Sequence, residues 1–156
     1  MSVFTTRILP LSLFGVVLAV VGGAITWSVF ASAKLPDGPA EIVFDKAACV
    51  ACGMHVGEPA FAAQVTTKDG RVHAFDDPGC LFLWLDEQKP DVHSMFFRHH
   101  REPRWLKRDQ VAFVRVSPTP MGFGLAAVDE ATADAIGFEA ARRNCIEKAT
   151  GHGSGK

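Results

Sequence analysis

Residues 59–88 read PAFAAQVTTKDGRVHAFDDPGCLFLWLDEQ, and this stretch decides the fold. Residues 59–67 are predicted to form a strand, and Lys68-Asp69-Gly70 is a typical hairpin turn. Arg71–Phe75 then alternates polar and apolar residues, as a half-buried strand does. The sequence therefore predicts an antiparallel hairpin over residues 59–75.

A helix is predicted directly after this hairpin. The segment Asp76-Asp77-Pro78 supplies an aspartate cap and a proline suited to the first helical position. Apolar residues then recur at helical spacing as far as Gln88, and Pro90 ends the helix. Two strands and a helix in this order form a ββα unit.

The rest of the chain outside the N-terminus repeats this theme loosely. The basic segment Arg98–Lys107 is predicted to be a loop, and Asp129–Arg143 a helix with acids at its start and arginines at its end. The remaining predicted strands are Glu41–Phe44, His93–Phe97, Val111–Val116 and Phe123–Val128. This order of elements predicts an α+β fold over residues 41–147, with small antiparallel sheets and two helices.

The N-terminal segment is predicted to be a membrane anchor. No charged residue occurs from Ile8 to Ala33, and this apolar run exceeds the ~20 residues that cross a bilayer. Arg7 on its N-terminal side predicts that the rest of the chain lies outside the cytoplasm. We therefore expect residues 1–33 to form a signal anchor or single transmembrane helix of a bacterial inner membrane, with the domain in the periplasm. Ala31-Ser32-Ala33 resembles a signal-peptide cleavage site, so removal of this segment is the alternative.

Two short segments are predicted to flank the domain. Residues 34–40 contain two prolines and a glycine and are predicted to be a linker. Residues 148–156 are predicted to be a flexible tail. The chain has 16 Lys and Arg residues against 17 Asp and Glu, a net charge of −1, so we expect no binding to nucleic acid. No Ser/His/Asp, paired-acid or phosphate-loop pattern occurs, and on this basis the protein is not expected to be an enzyme.

The sequence Cys49-Val50-Ala51-Cys52-Gly53-Met54 places two thiols and a thioether within six residues. Thiolate and thioether ligands together favour Cu(I), and Gly53 lets the backbone turn so that both kinds of sulfur can face one ion. His55 follows directly and could add a nitrogen ligand. A redox dithiol, a structural zinc site and a structural disulfide are the alternatives for these cysteines.

Three further sulfur residues lie far from this motif in sequence. Met121 stands between Pro120 and Gly122 in a predicted loop, which suits a metal ligand, although an ordinary packed methionine is the alternative. Cys80 falls in the first turn of the predicted helix and is either a thiol close to the cysteine motif or an inert buried one. Cys145 has no functional interpretation.

Several of these motifs together resemble a known family. Their order and spacing over roughly residues 41–140 resemble those of the NosL-type accessory proteins of nitrous-oxide reductase. The matching segments are Cys49-Val50-Ala51-Cys52-Gly53-Met54, Phe61-Ala62-Ala63-Gln64 with Asp69-Gly70, Phe75-Asp76-Asp77-Pro78-Gly79-Cys80, Trp105-Leu106 and Pro120-Met121-Gly122-Phe123-Gly124.

The resemblance implies a periplasmic Cu(I) metallochaperone that helps to assemble the copper centres of nitrous-oxide reductase during denitrification. It also implies two ββαβ-type modules related in fold to organomercurial lyase. Carried across by motif, the metal ligands would be Cys49, Cys52, Met54 and Met121. Members of the family are commonly lipoproteins, whereas this chain has a predicted transmembrane anchor, which leaves the client enzyme open. A homodimer that bridges the metal is also left open.

Two other classes of function remain as alternatives. One is an organomercurial-lyase-like or dithiol redox enzyme that uses Cys49, Cys52 and Cys80, with Asp76 or Asp77 as proton carrier. The other is a disulfide-bonded periplasmic domain without a ligand.

Overall fold

The computed structural model describes residues 15–24, 27 and 35–151. The chain divides into two units at Leu35. In the first unit residues 15–24 are helical, and we call this segment α1. No helix of the described residues is long and apolar enough to span a membrane. The predicted anchor over residues 1–33 and the tail beyond residue 151 lie largely or wholly outside the described residues.

The first sheet of the second unit has four antiparallel strands. These are β1 (Ala63–Thr67), β2 (Val72–Phe75), β3 (Val92–Arg98) and β4 (Trp105–Lys107), in the spatial order β2-β1-β3-β4. Helix α2 (Pro78–Gln88) connects β2 to β3, so this half has the order ββαβ. The predicted hairpin, helix and third strand are confirmed.

The second sheet has three antiparallel strands and is followed by a helix. The strands are β5 (Val111–Arg115), β6 (Leu125–Asp129) and β7 (Ile136–Gly137), in the spatial order β6-β5-β7. Helix α3 (Phe138–Gly151) follows β7 directly. Two small antiparallel sheets packed with helices confirm the predicted α+β class. In the described residues no strand follows α3, so the second half has the order βββα and not the ββαβ order that the resemblance implies.

Several predicted boundaries are wrong. Glu41–Phe44 is not a strand, because residues 44–46 form a turn closed by the Ala47 N–H donating to the Val43 carbonyl at 2.9 Å. Residues 59–61 form a short 3-10 helix before β1 rather than its first part. The basic segment over residues 98–107 contains β4 instead of being loop throughout.

The last helix begins later and ends later than predicted. Residues 130–135 form turns, in which Asp134 adopts a left-handed conformation (φ 61°), and the two residues of β7 pair with β5 before the helix begins at Phe138. Of the acidic residues predicted for the first helical turn, Asp129 is the last residue of β6 and Glu130 lies in these turns. At its other end α3 reaches Gly151, so the described part of the predicted tail over residues 148–156 is helical.

One aromatic cluster joins the two halves. Phe82 of α2 contacts Phe97 of β3, Phe113 of β5 and Phe138 of α3, with ring centroids 6.0, 5.3 and 5.2 Å away. The rings of Phe82, Phe97 and Phe113 are fully buried, and Phe113 packs against Phe97 edge to face. Because one residue from each of four elements contributes, both sheets share a single hydrophobic core.

The end of the predicted linker is fixed to the first sheet. Gln64 of β1 is fully buried, and its side chain forms two hydrogen bonds with the backbone of Ala40. The Ala40 N–H donates to Gln64 Oε1 at 2.8 Å, and Gln64 Nε2 donates to the Ala40 carbonyl at 3.0 Å. A buried amide is thus satisfied by the chain that leads into the cysteine motif.

Candidate metal centre

Four side chains converge beside the end of β2. They are Cys49, Cys52, Asp76 and Cys80, and one ligand atom from each lies within 4.8 Å of all the others. Three of the four residues are buried and Cys52 is half-buried. A metal bonded to sulfur at about 2.3 Å holds its sulfurs roughly 3.8–4.0 Å apart, so small side-chain movements suffice to close this set around one ion. The cluster can therefore hold a metal ion.

The cysteine motif forms a compact turn that is docked on β2. The Cys49 N–H donates to the Met54 carbonyl at 2.7 Å, and the Gly53 N–H donates to the Cys49 carbonyl at 2.9 Å. Gly53 has φ +78°, which confirms that the turn needs a glycine here. The Val50 N–H donates to the Ala74 carbonyl of β2 at 3.0 Å, which fixes the turn to the outer edge of the sheet.

The other two side chains come from the direct connection between β2 and α2. Asp76 follows the last residue of β2, and Cys80 is the third residue of α2. Asp77 caps the helix, since its Oδ1 accepts the Gly79 N–H at 2.8 Å. Because the turn is docked on the strand that leads into this cap, the carboxylate and the third thiol face the two cysteines of the turn.

Hydrogen bonding makes Cys49 the most acidic thiol of the cluster. The Cys80 thiol donates to the Cys49 sulfur and lowers the pKa of Cys49 to about 6, and the backbone N–H groups of Cys52 and Asp76 act in the same direction against the effect of burial. The same hydrogen bond, together with burial, raises the pKa of Cys80. Near neutral pH the metal-free site therefore holds a Cys49 thiolate beside a protonated Cys80.

Cys52 keeps its proton beside a carboxylate. Its thiol donates to Asp76 Oδ1 at 3.6 Å. Burial raises the pKa of Cys52, and the backbone N–H of Met54 at its sulfur only partly opposes this. Asp76 is 2% exposed, so this hydrogen bond lies in the buried part of the cluster.

The loop that carries Met121 is attached to the same helix start. The Met121 N–H donates to Asp77 Oδ2 at 3.2 Å, so one fully buried aspartate holds both the first turn of α2 and this loop. Two residues further on, Phe123 covers Gly79, where a Cβ atom would lie 2.1 Å from the Phe123 ring. The structure thus brings the segments 75–80 and 120–124 into contact.

Two of the five predicted ligands lie in this cluster. Cys49 and Cys52 belong to it, whereas His55 lies outside it, exposed and paired in a backbone bridge with Ala48. Met54 is 53% exposed on the turn, and Met121 is half-buried against the core. The thioethers of Met54 and Met121 stay predicted ligands.

Asp76 and Cys80 are the cluster members that the predicted ligand set omits. The sequence signal for them is an aspartate cap followed within three residues by a cysteine, directly after a strand. The contact with residues 49–52 depends on the docking of the turn on β2, which no local pattern predicts. Cys145, the fourth cysteine, is buried in α3, where burial raises its pKa to about 12, and it is not part of the cluster.

We compared the chain with models of protein families, with curated proteins and with solved structures. None of the three comparisons finds a match.

Proposed function

We propose that this chain is a Cu(I)-binding metallochaperone of the NosL type that delivers copper to an exported copper enzyme, with nitrous-oxide reductase as the expected client. The observation that supports this most directly is the convergence of three thiols and a carboxylate within 4.8 Å. Three sulfur donors form a soft ligand set, which Cu(I) prefers over oxygen-rich sites. Anchoring by residues 1–33 would keep such a chaperone at the membrane face where exported enzymes receive copper.

The cluster residues differ in burial, and this difference suits both the capture of a copper ion and its release to a client. Cys49 and Cys80 are buried, whereas Cys52 is half-buried, and Met54 beside it is exposed. A soft ligand of a client can therefore reach the ion from the side of Cys52 and Met54 while the two buried sulfurs still hold it. Exchange through such a shared intermediate needs no rigid cage, because Cu(I) accepts two to four soft ligands.

The first test is an anaerobic Cu(I) titration of the full-length protein against a chromogenic chelator. We expect one tight site in the wild type and its loss in a Cys49/Cys52 double serine variant. Cys80→Ser should weaken binding at least tenfold, equivalent to about 1.4 kcal/mol. Cys145→Ser is the matched control, because Cys145 is also a buried helical cysteine but lies outside the cluster.

The same assay decides the role of the thioethers. If the sulfur of Met121 is a ligand, Met121→Ala should weaken Cu(I) binding by about an order of magnitude. An unchanged affinity removes Met121 from the site. Failure of the wild type to compete with the chelator, or equal losses in Cys80→Ser and Cys145→Ser, would contradict the proposed copper function.

One contact favours a second function, an organomercurial-lyase-like enzyme. The Cys52 thiol donates to Asp76 at 3.6 Å, which places a proton-carrying carboxyl group beside a cluster of thiols. In such a reaction the Cys52 sulfur would bond to mercury and pass its proton to Asp76, the carbon–mercury bond would break, and Asp76 would give that proton to the released carbon while mercury stays bonded to the cysteine sulfurs. Release of benzene from phenylmercury that is lost in Asp76→Asn would support this function, and the absence of turnover in the wild type would exclude it.

A further inference from the structure

The carboxylate of Asp76 is buried beside the three thiols of the cluster. It is 2% exposed, and in the part of the chain that the structure describes no lysine, arginine or histidine forms an ion pair with it. Its hydrogen bond with Cys52 comes from an uncharged thiol at 3.6 Å. Buried charges in proteins are paired or coordinate metal ions. The position of Asp76 therefore indicates that a cation binds between this carboxylate and the thiols.

The spacing of the ligand atoms fits a tetrahedral zinc site. Zinc lies about 2.3 Å from a cysteine sulfur and about 2.1 Å from a carboxylate oxygen, so tetrahedral angles place the sulfur and the oxygen about 3.6 Å apart. The Cys52 sulfur and Asp76 Oδ1 have this separation, 3.6 Å. Two sulfurs of such a site lie about 3.8 Å apart. All four ligand atoms already lie within 4.8 Å of one another, so no pair must close by more than about 1 Å.

The fold supplies the second pair of ligands that a closed zinc site needs. Cys49 and Cys52 alone provide two donors, and Cys80 and Asp76 complete the four that such sites use. Backbone N–H groups also point at the sulfurs. Those of Cys52 and Asp76 donate to the Cys49 sulfur, and that of Met54 donates to the Cys52 sulfur. Hydrogen bonds of this kind orient metal ligands and stabilise the charge of thiolates.

The carboxylate distinguishes zinc from copper and from other divalent ions. Cu(I) prefers soft sulfur donors, so an oxygen ligand adds little to its affinity. Zn²⁺ accepts thiolate and carboxylate ligands alike. It also neutralises more of the negative charge of three thiolates and a carboxylate than a monovalent ion does. Ca²⁺ and Mg²⁺ take oxygen ligands, which a cluster of three sulfurs does not offer.

We propose that the cluster binds Zn²⁺ as a closed four-coordinate site with Cys49, Cys52, Cys80 and Asp76 as its ligands. Thiols that are protonated in the metal-free protein release their protons to solvent when the ion binds. Asp76 contributes more to the binding of Zn²⁺ than to that of Cu(I). The inference uses the same side chains as the proposed copper function but does not rest on it, because zinc binding requires no copper.

The test uses Co²⁺ as a spectroscopic probe of the site. Reduced, metal-free full-length protein is titrated with Co²⁺ without oxygen. We expect the intense visible absorption of a tetrahedral cobalt ion, together with sulfur-to-cobalt charge-transfer bands in the near ultraviolet, saturating at one ion per chain. Zn²⁺ should then remove these bands by displacing Co²⁺, because an ion with a filled d shell gives no d–d absorption. Competition with a chromogenic zinc chelator measures the affinity for Zn²⁺.

Variants assign the fourth ligand. Asp76→Asn keeps the size of the side chain and an acceptor for the Cys52 thiol but removes the negative charge. It should weaken Zn²⁺ binding about tenfold or more, and should weaken it more than Cu(I) binding. Cys80→Ser should weaken the binding of both ions. Cys145→Ser is the matched control, because this buried cysteine lies outside the cluster, and far-ultraviolet circular dichroism checks the fold of each variant.

Three results would overturn the proposal. They are a pale, octahedral cobalt spectrum in the wild type, an unchanged Zn²⁺ affinity in Asp76→Asn, and equal losses of Zn²⁺ and Cu(I) affinity in that variant. The wild-type cobalt spectrum keeps the proposal testable even where Asp76→Asn does not fold. Wild-type protein that binds Cu(I) but not Zn²⁺ contradicts this inference alone. Wild-type protein that binds Zn²⁺ but not Cu(I) contradicts the copper function and supports this inference.

Discussion

Replacing Gly79 with alanine tests the contact between the start of α2 and the Met121 loop. A Cβ atom on Gly79 would lie 2.1 Å from Phe123 Cγ and 2.7 Å from Phe123 Cβ. Carbon atoms rest at about 3.5–4.0 Å, so Phe123 must move by roughly 1.5 Å. Its Cβ is close to the backbone, so a change of rotamer alone does not relieve the overlap and the loop itself must shift.

The cost follows from two opposing effects. Overpacking of this kind costs about 1–3 kcal/mol. Alanine recovers about 0.5–1 kcal/mol of it, because glycine loses more backbone entropy in a helix. We therefore expect Gly79→Ala to lower the free energy of unfolding by about 1–2 kcal/mol.

Denaturant unfolding of the full-length protein measures this change, and Phe123→Ala supplies the control. If the ring causes the overlap, Gly79→Ala should cost much less in the Phe123→Ala background than in the wild type. The two changes should then be non-additive by about 1 kcal/mol. Additive losses, or a stabilised Gly79→Ala variant, would refute the contact between these two segments.

Three other changes probe the cap, the core and the thiols. Asp77→Ala should lower the free energy of unfolding by about 2 kcal/mol, since it leaves the N–H groups of Gly79 and Met121 without an acceptor, and denaturant titration checks this. Phe82→Ala should cost about 3–5 kcal/mol by removing the ring shared by both sheets, and two separate unfolding transitions in the wild type would contradict that shared core. Because the pKa of Cys49 is lowered from 9.0 to about 6, its contribution to stability is complete above pH 9 and is lost as the pH falls through 6. The thiolate ultraviolet absorbance of the metal-free protein should show a step near pH 6 that disappears in Cys49→Ser.

The first half of the fold was predictable because its signals are local. A Lys-Asp-Gly turn, an alternating strand and an aspartate-proline helix start each depend on a few neighbouring residues. The second half was less predictable, since β7 has only two residues, Ile136–Gly137, and exists by pairing with β5. The acidic residues after Asp129 resemble a helix start in sequence, but they lie in turns. The helix begins later because the preceding residues pair with β5 as strand β7.

The sequence predicts the chemical type of the candidate site but not all of the residues that form it. The sulfur-rich spacing of Cys49 and Cys52 correctly indicated a group of side chains that could hold a metal ion. Asp76 and Cys80 join it through the docking of that turn on β2, a contact between segments more than 20 residues apart. Sequence periodicity carries no information on such a contact, and the exposed His55 shows that adjacency in sequence does not place a residue in the cluster.

The docking of the cysteine turn on β2 has a further consequence, for aggregation. β2 is an outer strand of its sheet, and an uncovered outer strand invites pairing with another chain. The Val50 N–H donates a hydrogen bond to the Ala74 carbonyl on the outer edge of β2. This carbonyl in the middle of the strand is therefore not available to another chain. A modification of the cysteines that detaches the turn would therefore also uncover a strand edge, and damaged protein would tend to self-associate. Intact thiols thus protect the solubility of the chain as well as its candidate metal site.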